Sequence, residues 1–207
     1  MKKFILLFVL MTVGMTVQAQ HKEGDITIQP RIGVTFSTIT DQKDIKMKTN
    51  LTYGFETEYY FTDKWSVAGG LLFTNQGYKF DYYDGIDKNS SSTAKFNNYY
   101  ATVPITVNYY VIEGLAVKVG IQPAFRVKTQ LKMGDAKLDL DDAMEVLFPT
   151  EDVTINKFDL SIPVGFSYEY NKFVFDARYN LGLTKLYKGI EQSSRNSVIT
   201  LTLGYKL

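Results

Sequence analysis

The stretch Phe173–Thr184, FVFDARYNLGLT, decides the fold. Phe173, Phe175, Tyr179, Leu181 and Leu183 fall on odd positions, with small Ala177 among them. Asp176, Arg178, Asn180, Gly182 and Thr184 fall on even ones. Successive side chains of a strand point to opposite faces, so this alternation specifies a β-strand with one oily face and one wet face. The wet face carries an acid and a base two residues apart. Whether that pair is chemistry or structure depends on what the wet face looks at.

The same alternation recurs outward from this strand in both directions. It covers Asp25–Ser37, Leu51–Phe61, Trp65–Tyr78, Asn98–Val111, Leu115–Lys128, Phe158–Tyr170 and Ser197–Leu207. Three connections are short: Thr62–Lys64, Ile112–Gly114 and Asn171–Lys172. The others are long and polar: Thr38–Thr49, Lys79–Phe96, Thr129–Ile155 and Lys185–Arg195. Short and long connections alternate along the chain. The only helical stretch in this pattern is Asp141–Leu147, inside the third long loop. Eight tilted amphipathic strands of about ten residues, with short turns at one rim and long loops at the other, describe an all-β, antiparallel, up-and-down transmembrane barrel. The short turns and both termini are expected on the periplasmic side, and the long loops outside the cell.

A soluble carrier barrel alternates too, with its oily face inward. Bulk separates the two architectures. The apolar faces together carry roughly forty large side chains, and an eight-stranded barrel has an interior just wide enough to be filled by side chains. The small Gly, Ala, Ser and Thr of the polar face fit there; the large apolar set does not. Hairpin register agrees. The turn lengths place Arg178 opposite Gly165, Glu56 opposite Gly70, Glu58 opposite Ala68, Tyr110 opposite Ala116 and Thr106 opposite Gly120. Long side chains thus face small ones, as a crowded lumen requires. Tyr59, Phe61, Trp65, Tyr109, Tyr168, Tyr170, Phe173 and Tyr205 lie beside the short turns or the C-terminus, where an aromatic girdle marks the periplasmic interface.

The N-terminus, MKKFILLFVLMTVGMTVQAQ, has a basic start at Lys2 and Lys3, a short apolar run and a small-x-small site at Val17–Ala19. It is expected to be a signal peptide, residues 1–19, cleaved between Ala19 and Gln20. The apolar run is about ten residues, half of what a spanning helix needs. Residues 20–207 then form one barrel domain. Net charge is +1, so bulk electrostatics points to no nucleic-acid partner. Cysteine is absent, which removes disulfide scaffolds, thiol chemistry and Cys-based metal sites.

With the strands placed, several segments resemble the PorT-like outer-membrane β-barrel family of Bacteroidetes-type bacteria. They are RIGVTFS (Arg31–Ser37), LLFTNQGY (Leu71–Tyr78), NYYATVP (Asn98–Pro104), DARYNLGL (Asp176–Leu183) and LTLGYKL (Leu201–Leu207). The resemblance runs over nearly the whole mature chain and implies an integral outer-membrane barrel, without implying one activity. It also implies that the C-terminal strand is read by the barrel-assembly machinery. The chain ends in Leu207, where an aromatic terminus is common in such proteins.

The lumen-facing charges are Arg31, Glu56, Glu58, Lys118, Arg126, Lys128, Asp159, Glu169, Asp176, Arg178 and Lys206. Signs nearly balance. A mixed set supplies the partners that buried charges need, which favours a salt-bridged plug over a gated pore or a small-ligand site, with Arg178 as hub. Gly165 is expected to leave space for its guanidinium. Enzyme chemistry has few parts to use. The single histidine, His21, sits beside the cleavage site, so a Ser-His-acid site has no base. Paired acids such as Glu56 and Glu58 beside cations fit structure better than acid–base work. The third long loop gathers Asp135, Asp139, Asp141, Asp142, Glu145, Glu151 and Asp152, but lacks the spacing and glycine of an EF-type calcium loop. The expectation is therefore a non-enzymatic barrel in outer-membrane lipid, without cofactor or metal. Its long loops, with Tyr82, Tyr83 and Tyr187, are candidates for binding an extracellular ligand or protein. The alternatives are a narrow channel or a transport- or secretion-associated component, and, more distantly, a lipid-modifying enzyme.

Overall fold

The computed structural model describes residues 22–40, 45–83, 91–134, 136–140, 154–188 and 194–207. The strands are β1 (Ile26–Ile39), β2 (Ile45–Tyr60), β3 (Trp65–Tyr83), β4 (Ser91–Thr102), β5 (Ile105–Ile112), β6 (Leu115–Met133), β7 (Ala136–Asp139), β8 (Thr154–Ile155), β9 (Phe158–Tyr170), β10 (Phe173–Gly182), β11 (Tyr187–Lys188) and β12 (Asn196–Tyr205). All pairings are antiparallel, and β12 returns to pair with β1, Arg31 opposite Gly204. The ring closes as β1–β2–β3–β4/β5–β6–β9–β10–β12, eight staves in an up-and-down order. The short pair β8–β11 lies apart.

Turn lengths set the register as the sequence requires. Arg178 pairs with Gly165, Glu56 with Gly70, Glu58 with Ala68, and Thr106 with Gly120. Asn171 takes the left-handed conformation (φ 54°) that a two-residue hairpin turn needs, and Asn tolerates it. The faces are inverted relative to a soluble protein. The largest fully buried side chains include Gln29, Glu56, Glu58, Asn98 and Asn108. Ile32, Tyr53, Phe73, Val119, Phe166, Phe175 and Leu201 stand exposed on the outside. Continuous apolar cover of this extent marks a lipid-facing wall.

Four strand boundaries differ from the sequence expectation. Lys79–Tyr83 and Ser91–Phe96 are paired strand rather than loop, carrying the β3–β4 hairpin well past the band that ten residues span. β2 begins at Ile45, inside the stretch read as a loop. β6 continues to Met133 and turns into β7. The stave Asn98–Val111 is interrupted at Val103–Pro104, where proline has no N–H for the ladder. The extension is held from within. Tyr78 and Phe96 stack with ring centroids 5.0 Å apart, and they pack with Ile39 and Leu186. Ile39, Tyr78 and Phe96 come from different staves, Leu186 from the connection after β10, and the four meet inside the barrel. Periodicity missed this segment because its outward face carries lysines and its inward face aromatics. The expected signal peptide, its cleavage point at Ala19 and Gln20, and the stretch Asp141–Leu147 lie outside the described residues.

Candidate functional site: the ionic lumen

Alternation on each strand aims one polar side chain in two at the axis, and strand tilt stacks them in layers. The central layer combines Arg31 (β1), Glu56 (β2), Lys118 (β6) and the pair Asp176 and Arg178 (β10). Arg178 grips Glu56 with two parallel hydrogen bonds, Nη1 to Oε1 at 2.6 Å and Nη2 to Oε2 at 2.7 Å. Its Nε lies 2.6 Å from Asp176 Oδ1. Planar bidentate contact of this kind is the strongest geometry for a guanidinium and a carboxylate. Asp176 Oδ2 also meets Lys118 Nζ at 2.8 Å and Arg31 Nη1 at 3.3 Å. Arg31 Nε sits 3.1 Å from Glu56 Oε2. Three cations thus share two carboxylates.

The periplasmic layer has the opposite balance. Glu58 accepts hydrogen bonds from Ser66 Oγ (2.5 Å), Asn108 Nδ2 (2.7 Å) and Gln29 Nε2 (2.9 Å). Glu169 accepts from Lys206 Nζ at 2.5 Å. The Tyr110 hydroxyl lies between them, 3.0 Å from Glu58 Oε1 and 2.7 Å from Glu169 Oε1. Lys206 also donates to the Tyr60 hydroxyl. Gln29 joins the layers, donating to Glu58 and accepting from Arg31 Nη2 at 2.6 Å. Across both layers Arg31, Lys118, Arg178 and Lys206 face Glu56, Glu58, Asp176 and Glu169, so the filling is neutral. Above it the lumen is lined by hydroxyls and amides. Thr52 bonds Thr74 at 2.9 Å, and Asn180 donates to Thr200 at 3.0 Å.

Three expected members sit elsewhere. Arg126 faces the same side as its partner Tyr100, but donates to Thr129 Oγ1 and to the Asn156 carbonyl near the extracellular end. Asp159 accepts from Thr184 and Asn196, both neutral. Lys128 is corrected outright. A bulge at Val127 lets Tyr99 pair with Lys128 while Tyr100 pairs with Arg126. The extra residue flips the alternation, as a bulge must. Thr129 is therefore buried, and Lys128 turns to Asp139 at 2.5 Å with its side chain 45% exposed. Of the acidic third-loop residues, only Asp139 is described; the others lie outside the described residues. Gly165 has a different role from the one expected. A Cβ there would strike the Ala177 carbonyl oxygen and the Arg178 Cα, so its absence admits the neighbouring backbone rather than the guanidinium.

The aromatic set lies at the short-turn rim. Tyr59, Phe61, Trp65, Tyr170, Phe173 and Tyr205 are exposed, while Tyr109 and Tyr168 are partly covered. Trp65 packs on Tyr109 (4.7 Å between centroids), and Phe173 on Tyr205 (5.4 Å). Sequence reasoning passed over Gln29, Ser66, Asn108, Tyr60 and Tyr110 as members of the network. All five occupy lumen-facing positions, so face assignment alone, extended to uncharged residues, finds them.

The sequence matches none of the curated proteins. Among solved structures, the chain is similar to Ail, the attachment invasion locus protein of Yersinia pestis, in complex with the heparin analogue sucrose octasulfate. The two share 16% identity over 89% of this chain and 99% of that one, with a TM-score of 0.51. It is also similar to the outer membrane protein OprG of Pseudomonas aeruginosa, with 16% identity, 90% and 97% coverage and a TM-score of 0.45. Residues 18–188 match the family described as "Outer membrane protein beta-barrel domain", and the chain belongs to that family of outer-membrane β-barrels.

Proposed function

We propose that this outer-membrane barrel is a closed, non-enzymatic scaffold whose work is done on its extracellular end. The observation that carries this is the filling of the lumen. Each cation of the central layer touches a carboxylate, and Tyr78, Phe96, Ile39 and Leu186 close the extracellular side with apolar bulk. Buried charges completed in this way are structural, because removing any one partner leaves another uncompensated. The extracellular end is built to present surface. β3 and β6 each run 19 residues, about twice the 9–11 that cross a bilayer, and so raise a rigid wall above the membrane. Ligand or partner recognition by that wall and its loops follows the general pattern of function on a rigid frame. The motif resemblance supports membership of the PorT-like branch and recognition of the last strand by the barrel-assembly machinery, and the basic start, short apolar run and Val17–Ala19 site support export through a cleaved signal peptide.

The test is solute permeation. Proteoliposomes of the full chain should resist swelling in isosmotic solutions of small sugars and amino acids, beside a general porin as positive control. Swelling at porin-like rates makes the lumen a pore and refutes the closed scaffold.

A further inference from the structure

The tall wall carries an unusual row of charge. Lys46 pairs with Lys79, Lys79 with Lys95, Lys95 with Lys132, and Lys132 with Lys137, across β2, β3, β4, β6 and β7. Directly paired residues share a face. On each of β2, β3, β4 and β6 the flanking Ile45, Tyr78, Phe80, Phe96 and Leu131 turn inward to the apolar cluster, so the lysines turn outward. The ends of the row have acids at hand: Asp81 holds Lys46 at 2.6 Å, and Asp139, two residues from Lys137, holds Lys128. Lys79, Lys95 and Lys132 have no carboxylate partner among the described residues. Like charges directly opposite one another in a sheet repel, so an external anion that binds along this stretch relieves that repulsion.

Just below the row lies a groove of about 570 Å³. It exists because two ladders are broken at the same height. The β2–β3 register slips between Met47 and Thr52, and the β6 bulge falls at Val127. Lys48, in the slipped segment, sends its amine to Asn97 Oδ1 and joins Lys95 and Lys132 at the upper end of the groove. Burial, then Lys132, Lys79 and Lys95, push the Lys48 amine down to about 8. The lower end is apolar and faces the bilayer, with Tyr53 57%, Phe73 45% and Val127 67% exposed.

We infer that this groove seats one lipid of the outer leaflet, an acylated amphiphile with a phosphate-bearing headgroup. Lys48, Lys95 and Lys132 hold the phosphate, and an acyl chain lies over Tyr53, Phe73 and Val127. The occupant is a lipid because one groove is lined both by this cationic end and by the outward-facing Tyr53, Phe73 and Val127, and a soluble anion has no use for such apolar surface. The inference goes beyond the closed-scaffold function and depends only on the barrel being in the outer membrane.

The test uses the full chain in phosphatidylcholine nanodiscs containing a small fraction of monophosphoryl lipid A or of the same lipid without its phosphate. Native mass spectrometry of the released protein reads the lipid retained. The expected result is retention of one phosphorylated lipid and not of the dephosphorylated one. The double variant K95Q/K132Q should retain about tenfold less or lower still, as loss of charge-assisted contacts implies. Heat-modifiable gel mobility confirms that this variant is folded, and K172Q at the periplasmic rim should retain lipid as the wild type does. Equal retention by K95Q/K132Q, or equal retention of the dephosphorylated lipid, overturns the inference. So does displacement by inorganic phosphate at a concentration matching the lipid, which would mark a site for soluble anions.

Discussion

The barrel carries two clusters of charge, and they obey opposite rules. Inside, Arg31, Lys118, Arg178 and Lys206 are interleaved with Glu56, Glu58, Asp176 and Glu169. Outside, on the extracellular wall, Lys79, Lys95 and Lys132 stand shoulder to shoulder with no acid between them. Dielectric explains the contrast. Buried charges cost several kcal/mol each unless partners are supplied by the chain itself, so these two layers balance. Charges on a wetted wall are screened and cheap to leave unpaired. A cluster that the fold must complete is structural; one that it leaves incomplete is available to a ligand.

The largest expected effect follows from breaking the inner set. Asp176→Asn removes the carboxylate shared by Arg31, Lys118 and Arg178. It should cost about 3–5 kcal/mol of unfolding free energy, the usual penalty for stranding buried charge. Urea unfolding from lipid vesicles measures it, and a loss below about 1 kcal/mol would mean that the lumen is wet enough to screen its charges.

A smaller, pH-dependent effect belongs to Lys48, above the lipid-facing band. Its folded-state value is lowered to about 8 from 10.5, so between these limits the unfolded chain holds a proton that the folded one has released. Stability therefore rises as pH climbs from about 8 to 10.5. Unfolding of wild type and Lys48→Met across this window should diverge, the variant lacking that rise. Parallel curves would mean that the amine is freely solvated.

The smallest effect is expected on the outer row. Lys132→Gln should leave stability within about 0.5 kcal/mol of wild type, or raise it slightly by relieving repulsion from Lys95. Any large loss would show that the row holds the extended hairpin together.

Legibility from sequence follows the same division. The staves, their register and the inverted faces were readable because period-2 alternation and turn length are local properties. Arg178 opposite Gly165 is one instance. The central layer was partly readable, since face assignment collects Arg31, Glu56, Lys118, Asp176 and Arg178 without saying who touches whom. The bidentate grip between Glu56 and Arg178 joins residues 122 apart and depends on barrel closure, which no local pattern encodes. Lys128 was misplaced because one inserted residue, Val127, reverses the faces beyond it. The lysine row was invisible for a related reason. Lys46, Lys79 and Lys95 alternate with Ile45, Tyr78, Phe80 and Phe96, but with the apolar residues inward and the charges outward, the reverse of the lipid-facing band, and their register is set by tertiary pairing of the tall hairpin.

The most direct test of the inner set is a double-mutant cycle on Glu56 and Arg178, using Glu56→Gln, Arg178→Met and the pair together, with unfolding free energy as the readout. Mutual satisfaction predicts a coupling energy of about 2–3 kcal/mol, with the double variant recovering much of what either single change loses. Additive losses, with coupling below about 0.5 kcal/mol, would contradict it and return the lumen to the status of a solvated passage.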